Sequence, residues 1–164
     1  MMISRIAPCL WFNGEAEDAA KFYVSIFPDS RIDSASRYDG GTRLPVAFPK
    51  GTALMVEFTL AGQRFQALNG GPQFKHSEAI SLSVSCRDAK DVDHYWSALT
   101  AKGGAEGPCG WCKDRFGVSW QVVPEGLGEL LSDPDPGRAG RAMEAMLKMK
   151  KLDLAAMRQA AEGR

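Results

Sequence analysis

The residues whose types and spacing could support chemistry are few: four cysteines, two histidines and a repeated glutamine in a chain of 164 residues. Cys109-Gly110-Trp111-Cys112 has the spacing of a dithiol redox centre or of half a zinc site. A redox pair places its first thiol at a helix N-terminus, where the thiolate is stabilised. Here the residues after Cys112 read as strand and turn. A structural zinc site needs four ligands, and no second Cys-x-x-Cys exists. One or both cysteines are therefore expected to be ordinary, half-buried strand residues. Two histidines exclude a three-imidazole metal centre within one chain. His94 falls on the polar side of a helix that packs through Tyr95 and Trp96, whereas His76, in a linker between Lys75 and Glu78, is the histidine that qualifies as a pocket residue.

Gly62-Gln63-Arg64-Phe65-Gln66 and Gly117-Val118-Ser119-Trp120-Gln121 both read Gly-x-x-aromatic-Gln. In strands, neighbouring side chains point to opposite faces, so Gln66 and Gln121 lie opposite their aromatic neighbours. A primary amide offers two donors and an acceptor, suited to orienting a neutral polar ligand. The same two amides could instead satisfy each other or the backbone. Asn69-Gly70-Gly71-Pro72 reads either as a ligand-covering loop, with Asn69 available for contact, or as a plain turn between modules. Trp11, Phe12, Phe65, Trp111 and Trp120 are spread over strands. Most belong in a core, but an inward-alternating ring such as Trp111 would line an apolar pocket for a planar ligand.

The elements that carry these residues occur twice, at a spacing of 73. Ile6 to Phe12 reads as a strand, Asn13 as an N-cap with Glu15, Glu17 and Asp18 in an acidic first turn, and Ala16 to Phe27 as a helix stopped by Pro28. Ile80 to Cys86 is again a strand, capped over Asp88 into a helix whose apolar face is Val92, Tyr95, Trp96 and Leu99, ending at Gly103-Gly104. Strands follow each helix: Arg31 to Tyr38, Ala53 to Leu60 and Arg64 to Leu68, then Ala105 to Cys109, Trp111 to Asp114 and Val118 to Val123. The expected fold class is α+β, with paired βαβββ modules over about 3–72 and 78–124 forming a curved eight-stranded mixed sheet around an enclosed cleft. The expected domains are 1–132 and a helical tail, 133–164.

The stretches Leu10-Trp11-Phe12-Asn13-Gly14, Phe22-Tyr23-Val24-Ser25-Ile26-Phe27-Pro28, Ala67-Leu68-Asn69-Gly70-Gly71-Pro72, Cys109-Gly110-Trp111 and Ser119-Trp120-Gln121-Val122-Val123-Pro124 resemble the PhnB-like branch of the glyoxalase, bleomycin-resistance and extradiol-dioxygenase superfamily. The resemblance spans nearly the whole chain. It implies a pocket between modules whose metal ligands, in metal-using members, come from the first and last strands of each. Those positions correspond here to Pro8 and Ser81, within two residues, and to Gln66 and Gln121. None is a strong ligand for a divalent transition ion. The expectation is a pocket without a tightly held metal. A divalent metal would need a shifted register that turns His76 or Glu78 inward. The branch also carries a demethylubiquinone methyltransferase label, but the sequence has no Gly-x-Gly-x-x-Gly turn for S-adenosylmethionine and no phosphate-cradling motif.

Twenty basic against twenty acidic residues give a formal net charge of zero, which supplies no global attraction to nucleic acid or anionic membrane. No apolar run approaches the ~20 residues of a membrane span, and Met1 to Pro8 lacks signal-peptide features. A cytoplasmic chain with reduced cysteines is expected, binding a small molecule. The tail breaks at Asp133-Pro134-Asp135-Pro136-Gly137, then offers one helix through Ala142, Met143, Met146, Leu147 and Met149, and another after Asp153 through Leu154, Met157 and Ala161. From Arg138 onward seven basic residues face three acidic ones, a basic tail on an acidic body. That asymmetry suggests a tail clasping a partner in a homodimer.

Overall fold

The computed structural model describes residues 6–41 and 46–164. Residues 3–5 of the expected first module, and most of the Met1 to Pro8 stretch, lie outside them. The chain divides into two compact units, residues 1–76 and 77–164, and the tail belongs to the second.

The first unit contains β1 (Cys9–Phe12), α1 (Ala16–Ile26), β2 (Arg31–Arg37), β3 (Ala53–Leu60) and β4 (Gln63–Asn69). Its sheet runs β1-β4-β3-β2, with β1 parallel to β4 and the other pairs antiparallel. Helix α1 covers one face with Ala16, Ala19, Ala20 and Tyr23, all fully buried. The alanines let the helix approach the sheet closely. Tyr23 then stacks on Phe58 at 6.1 Å between ring centroids, and Phe58 on Phe65 at 5.5 Å. Each buried aromatic of this kind contributes about 1.5–3 kcal/mol. Strands β3 and β4 are joined through Ala61 and Gly62 at φ +45° and +84°. Two consecutive left-handed residues match the right-handed twist of the strands they connect.

The start of α1 departs from expectation. Its flanking residue is Glu15, with no side-chain cap, and Asn13 does not serve. Asn69, at the end of β4, does the work from a distance. Its Oδ1 accepts from the backbone N–H of Gly14 at 2.7 Å and of Ala16 at 3.1 Å, while its Nδ2 donates to the Ala53 carbonyl at 2.8 Å. A long-range amide thus satisfies orphan donors of the helix terminus.

The second unit repeats the order with β5 (Leu82–Cys86), α2 (Ala89–Thr100), β6 (Ala105–Glu106), β7 (Trp111–Lys113) and β8 (Ser119–Pro124), sheet order β5-β8-β7-β6 and β5 parallel to β8. Asp88 caps α2 as expected, accepting from the Asp91 N–H at 2.9 Å. Val92, Trp96 and Leu99 of α2 are buried together with Cys112, Trp120 and Val122 of the sheet. Asp114, itself buried, organises the β7–β8 turn: Oδ1 accepts from the N–H of Phe116 and Val118, and Oδ2 from Trp120 Nε1 at 2.8 Å.

The architecture is α+β, with two βαβββ modules. The eight strands expected from the paired modules form two four-stranded mixed sheets, neither of them closed, and in each the module's first strand pairs with its own last strand. Among the described residues no helix is long and apolar enough to cross a membrane.

The tail forms α3 (Leu127–Leu131), α4 (Pro136–Met146) and α5 (Leu154–Ala161), the last two capped by Asp135 and Asp153. Leu130, Ala142, Leu152, Met157 and Ala161 make its core, with Met146 and Met149 against it. Met143 and Leu147, assigned to the packing face from sequence, are exposed. The tail docks on its own second module. The N–H groups of Cys109 and Gly110 donate to the carbonyls of Met149 and Lys150 at 2.8 and 2.7 Å, and Lys150 and Lys151 pair with Glu106 and Asp93. Two of the tail's basic residues thus meet acidic groups of its own module.

Candidate functional site

On each sheet the face turned away from the helix carries the repeated glutamine. Phe65 and Trp120 are buried toward the helices, and Gln66 and Gln121 stand on the opposite faces, half-buried. Residues paired across adjacent strands share a face. In the first sheet the row is Cys9, Gln66 and Glu57. Gln66 Nε2 donates to Glu57 Oε1 at 3.3 Å, and Ser34 Oγ donates to Glu57 Oε2 at 3.1 Å. Partial burial pushes the Cys9 thiol up. Glu57 was not singled out from sequence; its partner status follows from the β3–β4 register.

In the second sheet the row is Ser83, Gln121 and Trp111. Gln121 Nε2 donates to Ser81 Oγ at 2.8 Å. Three of the expected site residues, Ser81, Trp111 and Gln121, therefore come together. Gln66, Asn69 and His76 lie in the other unit. Each glutamine amide donates to a neighbour in its own unit.

The register partners of the two glutamines fall within the two-residue span expected around Pro8 and Ser81. Gln66 pairs with Cys9, and the neighbouring Pro8 carbonyl accepts from the Gln66 N–H at 2.9 Å. Gln121 pairs with Ser83. The helices of the two modules repeat at 73 residues, as Tyr23 and Trp96 do, but the first strands repeat at 74, as Cys9 and Ser83 do, because the link from β1 to α1 is one residue longer than that from β5 to α2. A slip of one residue exchanges the two faces of a strand.

Asn69 is buried and its amide is engaged by the helix cap and by Ala53. The glycine after it is dictated by packing: a Cβ on Gly70 would meet the Trp11 ring at 2.2 Å. Trp11 Nε1 donates to the Gly71 carbonyl at 2.8 Å, fixing the loop over the ring. His76 is half-buried and packs edge-on against Phe12, 5.2 Å between centroids. His94 is exposed. The cysteine pair behaves as packing: desolvation pushes the Cys112 thiol up to about 12, and Cys109, whose thiol donates to the Met146 carbonyl, helps to dock the tail. Glu78, the alternative inward carboxylate, pairs with Lys113 at 2.6 Å.

Beside the Trp111 row lies a cavity of about 480 Å³, within the range of small-molecule pockets. Trp111, Gly107 and Pro108 form its apolar wall, with Lys113, Glu78 and Glu106 at its edge. Lys113 and Ser119 are a cross-strand pair, and Ser119 also lines the cavity. Ser119 is 1% exposed and its hydroxyl has no hydrogen-bond partner among the described residues. Neither Ser119 nor Lys113 stood out in the sequence, since a serine among three others on neighbouring strands gives no signal of its burial. The charges are compensated. The hydrogen bond from Lys113 lowers the pKa of Glu78, and that from Trp96 Nε1, 3.0 Å, lowers that of Glu106, which also pairs with Lys150.

Among the described residues no group of three or more His, Cys, Asp or Glu is placed to hold a metal ion. The rows Cys9-Gln66-Glu57 and Ser83-Gln121-Trp111 contain two weak amides, a serine and an indole alongside one thiol and one carboxylate. Neither row fits the three or more imidazole, thiolate or carboxylate donors of a zinc-type centre.

The sequence matches the family described as 3-demethylubiquinone-9 3-methyltransferase over residues 4–123. The chain belongs to this family. A solved structure described as a putative 3-demethylubiquinone-9 3-methyltransferase, PhnB protein, from Bacillus cereus is 33% identical, covers 74% of this chain and 99% of its own, and superposes with a TM-score of 0.65. A protein from Pseudomonas aeruginosa shares the fold at 20% identity, with 75% and 98% coverage and a TM-score of 0.60. A glyoxalase/bleomycin resistance protein from Albidiferax ferrireducens is more distant, at 16% identity, 75% and 100% coverage and a TM-score of 0.46. No curated protein matches. The PhnB-like membership read from the sequence stands. All three relatives cover about three quarters of this chain, and the family match ends at residue 123, before the helical tail begins.

Proposed function

We propose that this 3-demethylubiquinone-9 3-methyltransferase family member binds a small polar or aromatic molecule, without a tightly held metal, on the face of its second sheet turned away from α2. The observation that carries the reading is the row of Ser83, Gln121 and Trp111, an amide and an indole side by side, whose Trp111 lines a 480 Å³ cavity. Trp111 supplies a flat apolar wall, worth about 0.5–1.5 kcal/mol beyond burial when a ring stacks against it. Gln121, oriented by Ser81, presents its remaining amide groups. Gln66 is the counterpart on the first sheet.

Metal analysis of protein purified without chelator, combined with a thermal-shift screen of aromatic and polar small molecules, tests the reading. The expected result is substoichiometric metal and stabilisation by mass action with at least one organic ligand. Near-stoichiometric zinc, nickel, manganese or iron would instead favour a metal-dependent lyase, isomerase or dioxygenase of the glyoxalase type.

The family's description favours a second reading, methyl transfer to a demethylated quinone. The sequence has no Gly-x-Gly-x-x-Gly, and among the described residues both sheets are mixed four-stranded sheets rather than the parallel α/β sheet that usually cradles S-adenosylmethionine. Calorimetric titration with S-adenosylmethionine decides it: micromolar affinity supports methyl transfer, and no heat up to millimolar concentration removes it.

A further inference from the structure

Two observations at the cavity beside β7 narrow the chemistry of what it accepts. The first is Ser119. Buried polar groups are nearly always hydrogen-bonded, and leaving one unsatisfied is costly. A hydroxyl that is 1% exposed, without a partner and lining a cavity is a donor and acceptor held ready for a molecule entering it. The second is charge balance. The Lys113 ammonium at the edge is committed to Glu78 at 2.6 Å, and the Glu106 carboxylate to Trp96 Nε1 at 3.0 Å and Lys150 Nζ at 3.4 Å. These pairs are solvent-exposed and screened, but each charge at the edge is already matched, so a charged guest finds no counter-ion of its own there and gains nothing to offset its partial desolvation. The remaining wall, Trp111, Gly107 and Pro108, is apolar, and Gly107 leaves no room for a side chain, since a Cβ there would lie 2.8 Å from the Trp111 carbonyl.

We infer that this cavity is a binding site for an uncharged, planar aromatic molecule carrying one hydroxyl or carbonyl group, which hydrogen-bonds to Ser119 Oγ while its ring lies against Trp111. The inference rests on the small-molecule reading above and adds the ligand's charge state and its anchoring residue.

The test is a heteronuclear NMR titration of the full chain with three matched probes: 2-naphthol, naphthalene and 2-naphthoate. The expected order of affinity is naphthol, then naphthalene, then naphthoate, with shifts centred on the Trp111 side chain and the Ser119 amide. Ser119→Ala should weaken naphthol about five-fold, the worth of one neutral hydrogen bond, and leave naphthalene unchanged. Trp111→Ala should weaken both. Naphthoate binding as tightly as naphthol, equal naphthol affinity in the Ser119→Ala protein, or no shift at Trp111 and Ser119 up to millimolar probe would each overturn the inference. A protein carrying a stoichiometric metal but keeping the naphthol preference would defeat the metal-free reading and leave this one standing.

Discussion

Trp111 on β7 and Gln121 on β8 are register partners, so an indole and a primary amide stand side by side on the face of the second sheet opposite α2. The next pair along the same two strands, on the same face, is Lys113 with Ser119. One short hairpin thus supplies the ring, the amide, the buried hydroxyl and the compensated cation of the candidate site, and Asp114 fixes the turn between its strands.

The unpartnered Ser119 hydroxyl implies a cost to the ligand-free fold. Ser119→Ala should raise stability by about 1 kcal/mol, roughly 2–4 °C in Tm for a chain of this size. Differential scanning calorimetry of the ligand-free protein checks it. A fall in Tm of that size would mean that the hydroxyl is satisfied in solution.

Asn69 should matter for folding rather than for binding. Asn69→Ala leaves two N–H groups at the start of α1 and the Ala53 carbonyl without their partner. The expected loss is about 2–3 kcal/mol by urea denaturation, with probe affinity at the second sheet unchanged. A loss of affinity without a loss of stability would reverse the assignment.

The cysteine pair should not form a redox couple. Mild oxidation of the native protein should leave Cys109 and Cys112 as thiols by intact mass and peptide mapping. Alkylation at pH 8 should modify exposed Cys9 well before buried Cys86 and Cys112. A Cys109–Cys112 disulfide formed under those conditions would contradict the packing role.

Stability should decline at both extremes of pH. Burial raises Cys86 to about 11 and Cys112 to about 12 from an ordinary 9.0. The folded state therefore holds more protons than the unfolded state above pH 9, and stability present below pH 9 is lost as pH rises toward 11–12. Cys112→Ala should flatten that limb. On the acid side, the hydrogen bond from Arg37, then that from Lys21, holds Glu17 at about 2 against an ordinary 4.5, so its contribution is present above pH 4.5 and lost on the way down to 2. Because solvent screens this surface cluster, Arg37→Ala should lower stability only slightly at pH 7 and flatten the acid limb. Chemical denaturation across pH measures both limbs.

The modules were legible because their buried faces alternate and repeat: Phe65 and Ala67 against Gln66, Trp120 and Val122 against Gln121, and Tyr23 over Trp96 at one helical shift. Faces were legible wherever an aromatic next to a polar residue marked them. The first-strand register was legible only to within two residues, since one extra residue between β1 and α1 is invisible to a uniform shift and makes Cys9, next to Pro8, the partner of Gln66. The functions of Asn69 and Asp114 depend on partners brought close by folding, one of them 55 residues away in sequence. The tail's charge asymmetry was visible in composition, but the tail's docking on the second module required the backbone bonds between the Cys109-Gly110 turn and Met149 and Lys150.

Native mass spectrometry of the full chain, purified without chelator and sprayed with and without 2-naphthol, tests the central claim most directly. The account predicts a mass equal to that of the apoprotein, or of the apoprotein with a small organic molecule, and a one-to-one naphthol adduct that Trp111→Ala diminishes. A stoichiometric transition-metal adduct that disappears with chelator, with no organic adduct forming, would contradict it.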